Sequence, residues 1–259
     1  MIPNSDNPIG VFDSGLGGLT VLKELVKILP HENFLYFADI AHLPYGEKNQ
    51  AYLIERVKAI ITFFEEKKVK LIVMACHTAS AQALAPVQNL SSIPILGIIQ
   101  PTLEELIHHT NKRIAILATK ATIDSGIYQQ RIKKQMSAEL FPIACPLFVP
   151  LIEEGKIDHP IAKQAVHDTL KSLQGCQIDS VLLGSTHYPL LQHLIKEELG
   201  ASVMLIDPAQ LFASTVHNFL LKHQLLNAQQ VAGSCQFFAS KHTPQFQIAV
   251  AFFTKQAQK

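Results

Sequence analysis

Two apolar runs, residues 71–75 and 181–184, stand out in the hydrophobic pattern of the chain. Neither run alternates between polar and apolar positions, which is typical of a strand that helices cover on both faces. Each run leads into a polar triplet and then into a segment with helical spacing. The triplets are Cys76-His77-Thr78 and Ser185-Thr186-His187. Because α/β proteins bind ligands at the carboxyl ends of parallel strands, the pattern predicts that both triplets belong to a site.

The same pattern predicts further strands and helices in alternation. Before the first run it predicts strand, helix, strand and helix at residues 9–12, 19–29, 34–37 and 51–67. After that run it predicts strands at residues 113–118 and 203–206, and helices at 126–136, 161–173, 189–199 and 211–223. Alternating strands and helices indicate an α/β fold with mostly parallel sheets.

The alternation occurs twice, which indicates two units of similar plan. The second unit begins near residue 97. The tail, residues 236–253, contains two strand-like segments, FFAS and FQIAVAFF, and is too short for a third domain. We expect it to return to the first unit, so that residues 1–96 and 208–259 form one lobe and residues 97–207 the other. Two pseudo-symmetric lobes, each a mostly parallel sheet flanked by helices, would then face each other across a cleft.

Composition narrows the class of protein. The chain has 22 Lys and Arg against 21 Asp and Glu, and no basic segment that indicates a nucleic acid partner. The N-terminus lacks the features of a signal peptide, and no apolar run approaches the ~18 residues of a membrane span. Neither the four cysteines nor the twelve histidines have the spacing of metal ligands. We expect a cytoplasmic protein with reduced cysteines, no metal, no membrane partner and a small-molecule substrate.

A glycine-rich turn joins the first predicted strand to its helix, with the sequence Asp13-Ser14-Gly15-Leu16-Gly17-Gly18. Glycines at such a turn let a ligand approach backbone N–H groups at the start of a helix, which favours a carboxylate or a phosphate. With Asp39, the turn imitates a dinucleotide-binding fingerprint. Thr20 stands where that fingerprint has its third Gly or Ala, which argues against a dinucleotide.

A thiol such as that of Cys76 can act as a base or as a nucleophile. Its ordinary pKa of ~8.5 falls towards neutrality beside N–H dipoles or a cation. A nucleophile needs an oriented histidine, and the adjacent His77 does not establish one because neighbouring residues leaving a strand point in different directions. A base that acts on a carbon acid needs donors for the substrate carboxylate, and Ser14, Thr78 and Thr186 are donors of that kind.

Several motifs occur together in the order found in one known family. They are the turn at residues 13–18, Pro44-Tyr45-Gly46, ACHTA at 75–79, ATKAT at 118–122, VPLIE at 149–153 and GSTHYPLL at 184–191. This set resembles the glutamate racemases of the aspartate/glutamate racemase superfamily. The resemblance implies a two-lobed α/β fold, no cofactor, and interconversion of L- and D-glutamate, with D-glutamate used for peptidoglycan. It also implies proton exchange at Cα between two cysteines on opposite walls of the cleft.

The resemblance assigns roles position by position. Cys76 corresponds to the first catalytic cysteine, and Glu153 to an acidic residue with an assisting role. The substrate-binding and assisting positions correspond to Asp13, Ser14, Tyr45, Gly46, His77, Thr78, Thr186 and His187. Two of these motif positions depart from the family. His77 stands in place of Asn, and Ser185 occupies the opposite proton-transfer position in place of the second catalytic cysteine.

The serine leaves three functions open. An alkoxide is scarcely populated at neutral pH, so a racemase with Cys76 as its competent base should be impaired or altered. The superfamily also contains a single-cysteine decarboxylase of prochiral diacids, and other carbon-acid enzymes could use one thiol. The third function is a lapsed racemase that binds glutamate without turnover. Racemases of this type often dimerise, so a homodimer fits the resemblance.

Overall fold

The computed structural model describes residues 4–108 and 112–257. In these residues, nine strands form two sheets, and every strand pair is parallel. The strands are β1 Ile9–Asp13, β2 Phe34–Ala38, β3 Leu71–Met74, β4 Ile95–Gly97, β5 Arg113–Ala118, β6 Glu139–Ala144, β7 Ser180–Gly184, β8 Met204–Ile206 and β9 Cys235–Ala239. Helices flank both sheets, which confirms the predicted α/β fold.

The helices begin where the sequence supplies capping groups. Asn49, Thr119 and Asp207 each accept a backbone N–H of the first turn with the side chain. The helices are α1 Leu19–Ile28, α2 Gln50–Glu66, α3 His77–Gln82, α4 Leu84–Val87, α5 Ile99–His108, α6 Lys120–Ser125, α7 Ile127–Gln135, α8 Phe148–Glu153, α9 Pro160–Leu170, α10 Gln192–Leu199, α11 Pro208–Lys222 and α12 Pro244–Ala257. In the described ranges, none of them combines the length and apolar character that a bilayer crossing requires.

The two sheets have the same internal order. The first is β4-β3-β1-β2-β9 and the second, reversed, is β8-β7-β5-β6. The third strands, β3 and β7, therefore occupy equivalent places beside the first strands, β1 and β5. All residues of β3 and β7 are buried, as their uninterrupted apolar runs predict. In such a sheet, ligands bind beyond the carboxyl ends of two neighbouring strands whose following connections run in opposite directions. Here these are the first and third strands of each sheet.

The lobes also share an apolar core. One buried cluster contains residues of both sheets, among them Val73 of β3 and Ile116 of β5. We keep the division into residues 1–96 plus 208–259 and residues 97–207 as a proposal. The strand membership supports it, because β9 returns to pair with β2 in the first sheet.

The tail corrects one prediction. FFAS was expected to be strand-like and lies largely in β9, but FQIAVAFF, also expected to be strand-like, lies inside α12. Phe246 and Phe253 are buried, and Val250 packs against the same cluster, whereas Ile248 and Phe252 are exposed. Core-facing positions at intervals of four and three residues have the period of a helix, which overrides the β propensity of the individual side chains.

Candidate active site

A small cavity lies where β1, β3 and β7 end. Its volume is about 30 Å³. Both triplets line it, so the structure brings the side chains after β3 and β7 together from opposite lobes. Of the residues predicted for the site, those in the lining are Ser14, Tyr45, Gly46, Cys76, His77, Thr78, Ser185, Thr186 and His187. Asp13 and Glu153 are outside the lining and contact it through hydrogen bonds.

Cys76 follows β3 and caps α3. Its sulfur accepts the backbone N–H of Ala79 at 3.5 Å. Burial raises the pKa of the Cys76 thiol to about 12, and the charge of Asp13 also raises it, whereas N–H and O–H donors from Ala79 and Ser14 lower it. In the ligand-free protein, Cys76 is therefore a protonated thiol at neutral pH.

Asp13 ends β1 and is fully buried. Its carboxylate accepts the backbone N–H groups of Gly15 and Gly18, at 3.2 and 3.0 Å, so the glycine-rich turn folds around it. Thr186 of the opposite lobe donates its hydroxyl to Asp13 at 3.3 Å. Burial raises the pKa of Asp13, and the charge of His187 and the two N–H donors only partly oppose this. Asp13 is thus a carboxyl that can hold a proton more readily than an exposed one.

Glu153 and His187 form a partly buried ion pair, with 2.6 Å between Oε1 and Nε2. Oε1 of Glu153 also accepts the backbone N–H of Leu16 at 2.8 Å, which joins the second lobe to the glycine-rich turn of the first. At Gly17 only glycine fits, because a Cβ would overlap the His187 ring. Burial lowers the pKa of His187, but the hydrogen bond and charge of Glu153 and the charge of Asp13 outweigh it, so the pKa is raised.

Hydrogen bonds connect these groups into one chain across the cleft. Nδ1 of His187 lies 3.3 Å from the hydroxyl of Thr186, which donates to Asp13. Both ring nitrogens of His187 are therefore engaged, one by Glu153 and one by Thr186. Ser185 instead accepts the backbone N–H of His187 at 3.4 Å. The His187 imidazole is thus engaged through both nitrogens, and Ser185 contacts the backbone of the same residue.

The Tyr45 turn has support that the sequence did not suggest. Tyr45 donates its hydroxyl to Asp39 at 2.6 Å, and Arg56 donates two N–H groups to the same carboxylate, both at 3.1 Å. At Gly46 the turn presses against Thr119, where a Cβ would lie 2.7 Å from that of Thr119. In the sequence, Asp39 belongs only to the imitated dinucleotide fingerprint, and its contacts with Tyr45 and Arg56 depend on the folded chain.

Hydroxyl groups join the lobes on the other side of the cavity. Thr78 of α3 and Thr119, the cap of α6, are 2.8 Å apart at their Oγ1 atoms, and Thr119 is 2.9 Å from Thr122.

Cys145, which the sequence did not single out for the site, also lines the cavity. Its thiol donates to the carbonyl of Ile143 at 3.6 Å, and burial raises its pKa. Within residues 4–108 and 112–257, no group of three His, Cys, Asp or Glu side chains could hold a metal ion.

Replacing Glu153 by glutamine should lower the pKa of His187, because the imidazolium loses its charged partner. Because the pKa of His187 is raised in the folded protein, the ion pair contributes its full stabilisation below the unfolded histidine pKa of ~6.5. That stabilisation is lost as the pH rises through the pKa of His187 in the folded protein. The melting temperatures of wild type and Glu153→Gln should therefore differ most at pH ~6 and converge above the folded pKa of His187. Glu154→Gln is the matched control, since Glu154 is exposed and pairs with Lys156.

The His187 pKa is measured directly by NMR titration of the imidazole. An unchanged pKa in Glu153→Gln, or an equal shift in Glu154→Gln, would contradict the assigned ion pair.

Comparisons with known proteins agree with this geometry. Residues 9–216 match the family model described as Asp/Glu/Hydantoin racemase. The glutamate racemase of Thermoanaerobacter pseudethanolicus is 42% identical over 237 residues, covering 90% of this chain and 88% of the relative. That of Chlorobaculum parvum is 42% identical over 227 residues, covering 86% and 84%.

Solved structures give the same result. The chain matches the glutamate racemase of Francisella tularensis in complex with D-glutamate with a TM-score of 0.89 and 33% identity, over 97% of this chain and 94% of that one. The match to the Thermus thermophilus glutamate racemase in complex with beta-chloro-D-alanine has a TM-score of 0.84 and 36% identity, with the same coverage. The chain therefore belongs to the Asp/Glu/Hydantoin racemase family, in its glutamate racemase group.

Proposed function

We propose that this protein interconverts L- and D-glutamate by moving the proton at Cα, without a cofactor, and that its D-glutamate is used for peptidoglycan. The observation that carries the proposal is the position of Cys76 and Ser185. They follow the equivalent strands β3 and β7 of the two lobes and line one cavity. A small acid in that cavity would have a thiol on one side and a hydroxyl on the other.

The first step needs the Cys76 thiolate. Because the pKa of Cys76 is about 12 in the ligand-free protein, its proton has to leave before the sulfur can accept another. We assign Asp13 as the group that takes this proton, because its charge acts on Cys76 and its own pKa is raised. The substrate ammonium brings positive charge into the cavity, which lowers the pKa of the thiol and favours the thiolate further.

In the next step the Cα–H bond breaks and the proton goes to the Cys76 sulfur. The electron pair stays on the substrate and spreads from Cα into the carboxylate. The hydroxyl of Thr78 lines the cavity and can donate to this charge, because the direction of its contact with Thr119 is open, whereas Thr186 already donates its hydroxyl proton to Asp13. Thr119 holds the Thr78 hydroxyl at 2.8 Å, which keeps the cost of orienting it low during the reaction.

Protonation from the opposite face is the slow step in this proposal. Ser185 gives its hydroxyl proton to Cα and becomes an alkoxide, a far stronger base than a thiolate. Glu153 raises the pKa of His187, and a protonated imidazole on the same wall would favour that alkoxide. The compensation is partial, so we expect racemisation to be slow compared with that of a two-thiol enzyme.

In deuterated buffer, one enantiomer of glutamate should exchange its Cα proton faster than it inverts. Cys76 can remove the proton and return deuterium to the same face sooner than Ser185 delivers a proton to the other. Proton NMR of the Cα signal gives the exchange rate, and optical rotation gives the inversion rate, for each enantiomer separately. If neither enantiomer exchanges or loses rotation, the proposed racemase activity is wrong.

The serine at residue 185 is also compatible with two rival functions, and two further experiments distinguish them from racemisation. Tight binding of glutamate in calorimetry without exchange would identify a binding protein. Release of carbon dioxide from substituted malonates, without glutamate exchange, would identify a single-thiol decarboxylase. We further propose a cytoplasmic location and a homodimer, both supported by the family resemblance, and analytical ultracentrifugation tests the second.

A further inference from the structure

Thr20 is a half-buried residue in the first turn of α1. In the sequence it argues only against a dinucleotide site, and it has no task in the proposed mechanism. Its hydroxyl lies 2.9 Å from the carbonyl oxygen of Gly17 and 3.0 Å from that of Thr186. The first contact stays within the segment that joins β1 to α1, whereas the second crosses from the first lobe to the wall that carries Ser185.

The carbonyl of Thr186 needs a donor from outside its own segment. The carbonyls on either side of it, those of Ser185 and His187, each accept the N–H group three residues ahead, at 3.2 and 3.0 Å. Three residues after Thr186 the chain has Pro189, which lacks an N–H group. The Thr20 hydroxyl thus supplies a donor at the place where the proline removes one.

The first lobe therefore holds Thr186 at two points. The hydroxyl of Thr186 donates to Asp13 at the end of β1, and its carbonyl accepts the Thr20 hydroxyl near the start of α1. Gly17 packs against the same residue, because a Cβ there would overlap the Thr186 hydroxyl. Ser185 directly precedes Thr186, so its place relative to the first lobe depends on these contacts.

We propose that Thr20 is a positioning residue, whose hydrogen bond to the Thr186 carbonyl holds Ser185 within proton-transfer reach of the substrate Cα. This inference rests on the proposed function. Thr20 lies outside the cavity lining and acts through the peptide that follows Thr186. Cys76 belongs to the same lobe as Thr20, so the bond sets the distance of the second wall from the first. A misplacement of ~1 Å at a reacting group can cost ~10²-fold in rate.

The Thr20 hydroxyl carries one proton for two carbonyl oxygens, so it donates to one of them at a time. Removing the hydroxyl takes the donor away from the Thr186 carbonyl. The hydrogen bond from Thr186 to Asp13 and the packing of Gly17 remain. We therefore expect the Ser185 wall to shift slightly rather than to detach, while the Cys76 wall keeps its own contacts.

The difference between exchange and inversion tests this role. Thr20→Val removes the hydroxyl but keeps the shape of the side chain. For the enantiomer whose proton Cys76 removes, inversion should fall by ~10- to 10²-fold because it needs Ser185, whereas Cα exchange should change by less than ~3-fold. Thr20→Ser keeps the hydroxyl and should retain both rates. Thr215→Val is the matched control, because the Thr215 hydroxyl donates within α11, to the carbonyl of Leu211.

The hydrogen bond itself is measured without turnover. The dipeptide Thr-His occurs once in the sequence, at residues 186 and 187. Labelling threonine carbonyls with ¹³C and histidine amides with ¹⁵N therefore gives one peptide correlation in the NMR spectrum. The carbonyl carbon signal of Thr186 should move upfield in Thr20→Val, where the carbonyl loses its donor, and should stay in place in Thr20→Ser.

The outcomes separate this inference from the proposed function. An unchanged Thr186 carbonyl signal in Thr20→Val would overturn the inference and leave the racemase proposal intact. Equal losses of exchange and inversion would do the same, since a merely structural role lowers both rates together. If wild type neither exchanges nor inverts glutamate, the racemase proposal fails and the positioning role fails with it, even where the carbonyl signal shows the hydrogen bond. If Thr20→Val does not fold, Thr20→Ala replaces it in both measurements.

Discussion

Replacing Cys76 by serine should slow Cα exchange of glutamate by ~10²- to 10⁴-fold, the cost typical of losing a positioned acid or base. Cys76 combines a place on the cavity wall with donors that can stabilise its thiolate, from Ala79 and Ser14. A serine there would leave hydroxyl groups at both proton-transfer positions. The loss should appear in the exchange rates of both enantiomers, measured by proton NMR in deuterated buffer.

Two other cysteines serve as controls for that result. Cys176 lies outside the cavity lining and donates its thiol to the carbonyl of Ser172, so Cys176→Ser should exchange at the wild-type rate. Cys145 lines the cavity but donates its thiol to Ile143, and Cys145→Ser should have a small effect. If Cys145→Ser abolished exchange while Cys76→Ser did not, the base would be assigned to the wrong thiol.

The sequence predicted the centre of each lobe because the physical signal is strongest there. Strands β3 and β7 are buried on both faces, so they read as uninterrupted apolar runs, and the polar triplets mark where they end. The edges of the sheets give weaker signals. β4 has three residues, two of them only partly buried, and β6 is an edge strand with three exposed positions and a proline. Such short, half-exposed segments cannot be distinguished from loops by periodicity.

The candidate site divides in a similar way. Motifs predicted which residues line the cavity, because those residues follow strands or occupy glycine-rich turns. Their partners depend on how distant segments meet. Glu153 and His187 are 34 residues apart in the chain, and Thr186 and Asp13 are 173 apart. Only the packed lobes determine that Asp39 supports Tyr45.

The packed lobes also give the two walls different titratable groups. The wall of Cys76 contains Asp13, a carboxyl whose pKa is raised. The wall of Ser185 contains His187, whose pKa is raised by Glu153. The first wall is therefore suited to removing a proton and the second to stabilising an anion. A thiol at residue 185 would gain from a protonated imidazole on its wall, because a cation favours the thiolate.

The substitution Ser185→Cys should therefore raise the racemisation rate by ~10²- to 10⁴-fold. A thiolate is a far better match to neutral pH than an alkoxide, so inversion should approach the rate of Cα exchange. Optical rotation and Cα exchange, followed for both enantiomers, measure the two rates.

Ser80→Cys is the control for adding a thiol, because Ser80 is buried outside the cavity lining and donates to the carbonyl of Met74. It should leave both rates unchanged. If Ser185→Cys is no faster than wild type, proton delivery from this wall does not limit the reaction. A thiol at residue 185 speeds up the reaction only if proton transfer from that residue is the slow step. An unchanged rate would therefore mean that the serine belongs to a site adapted to other chemistry.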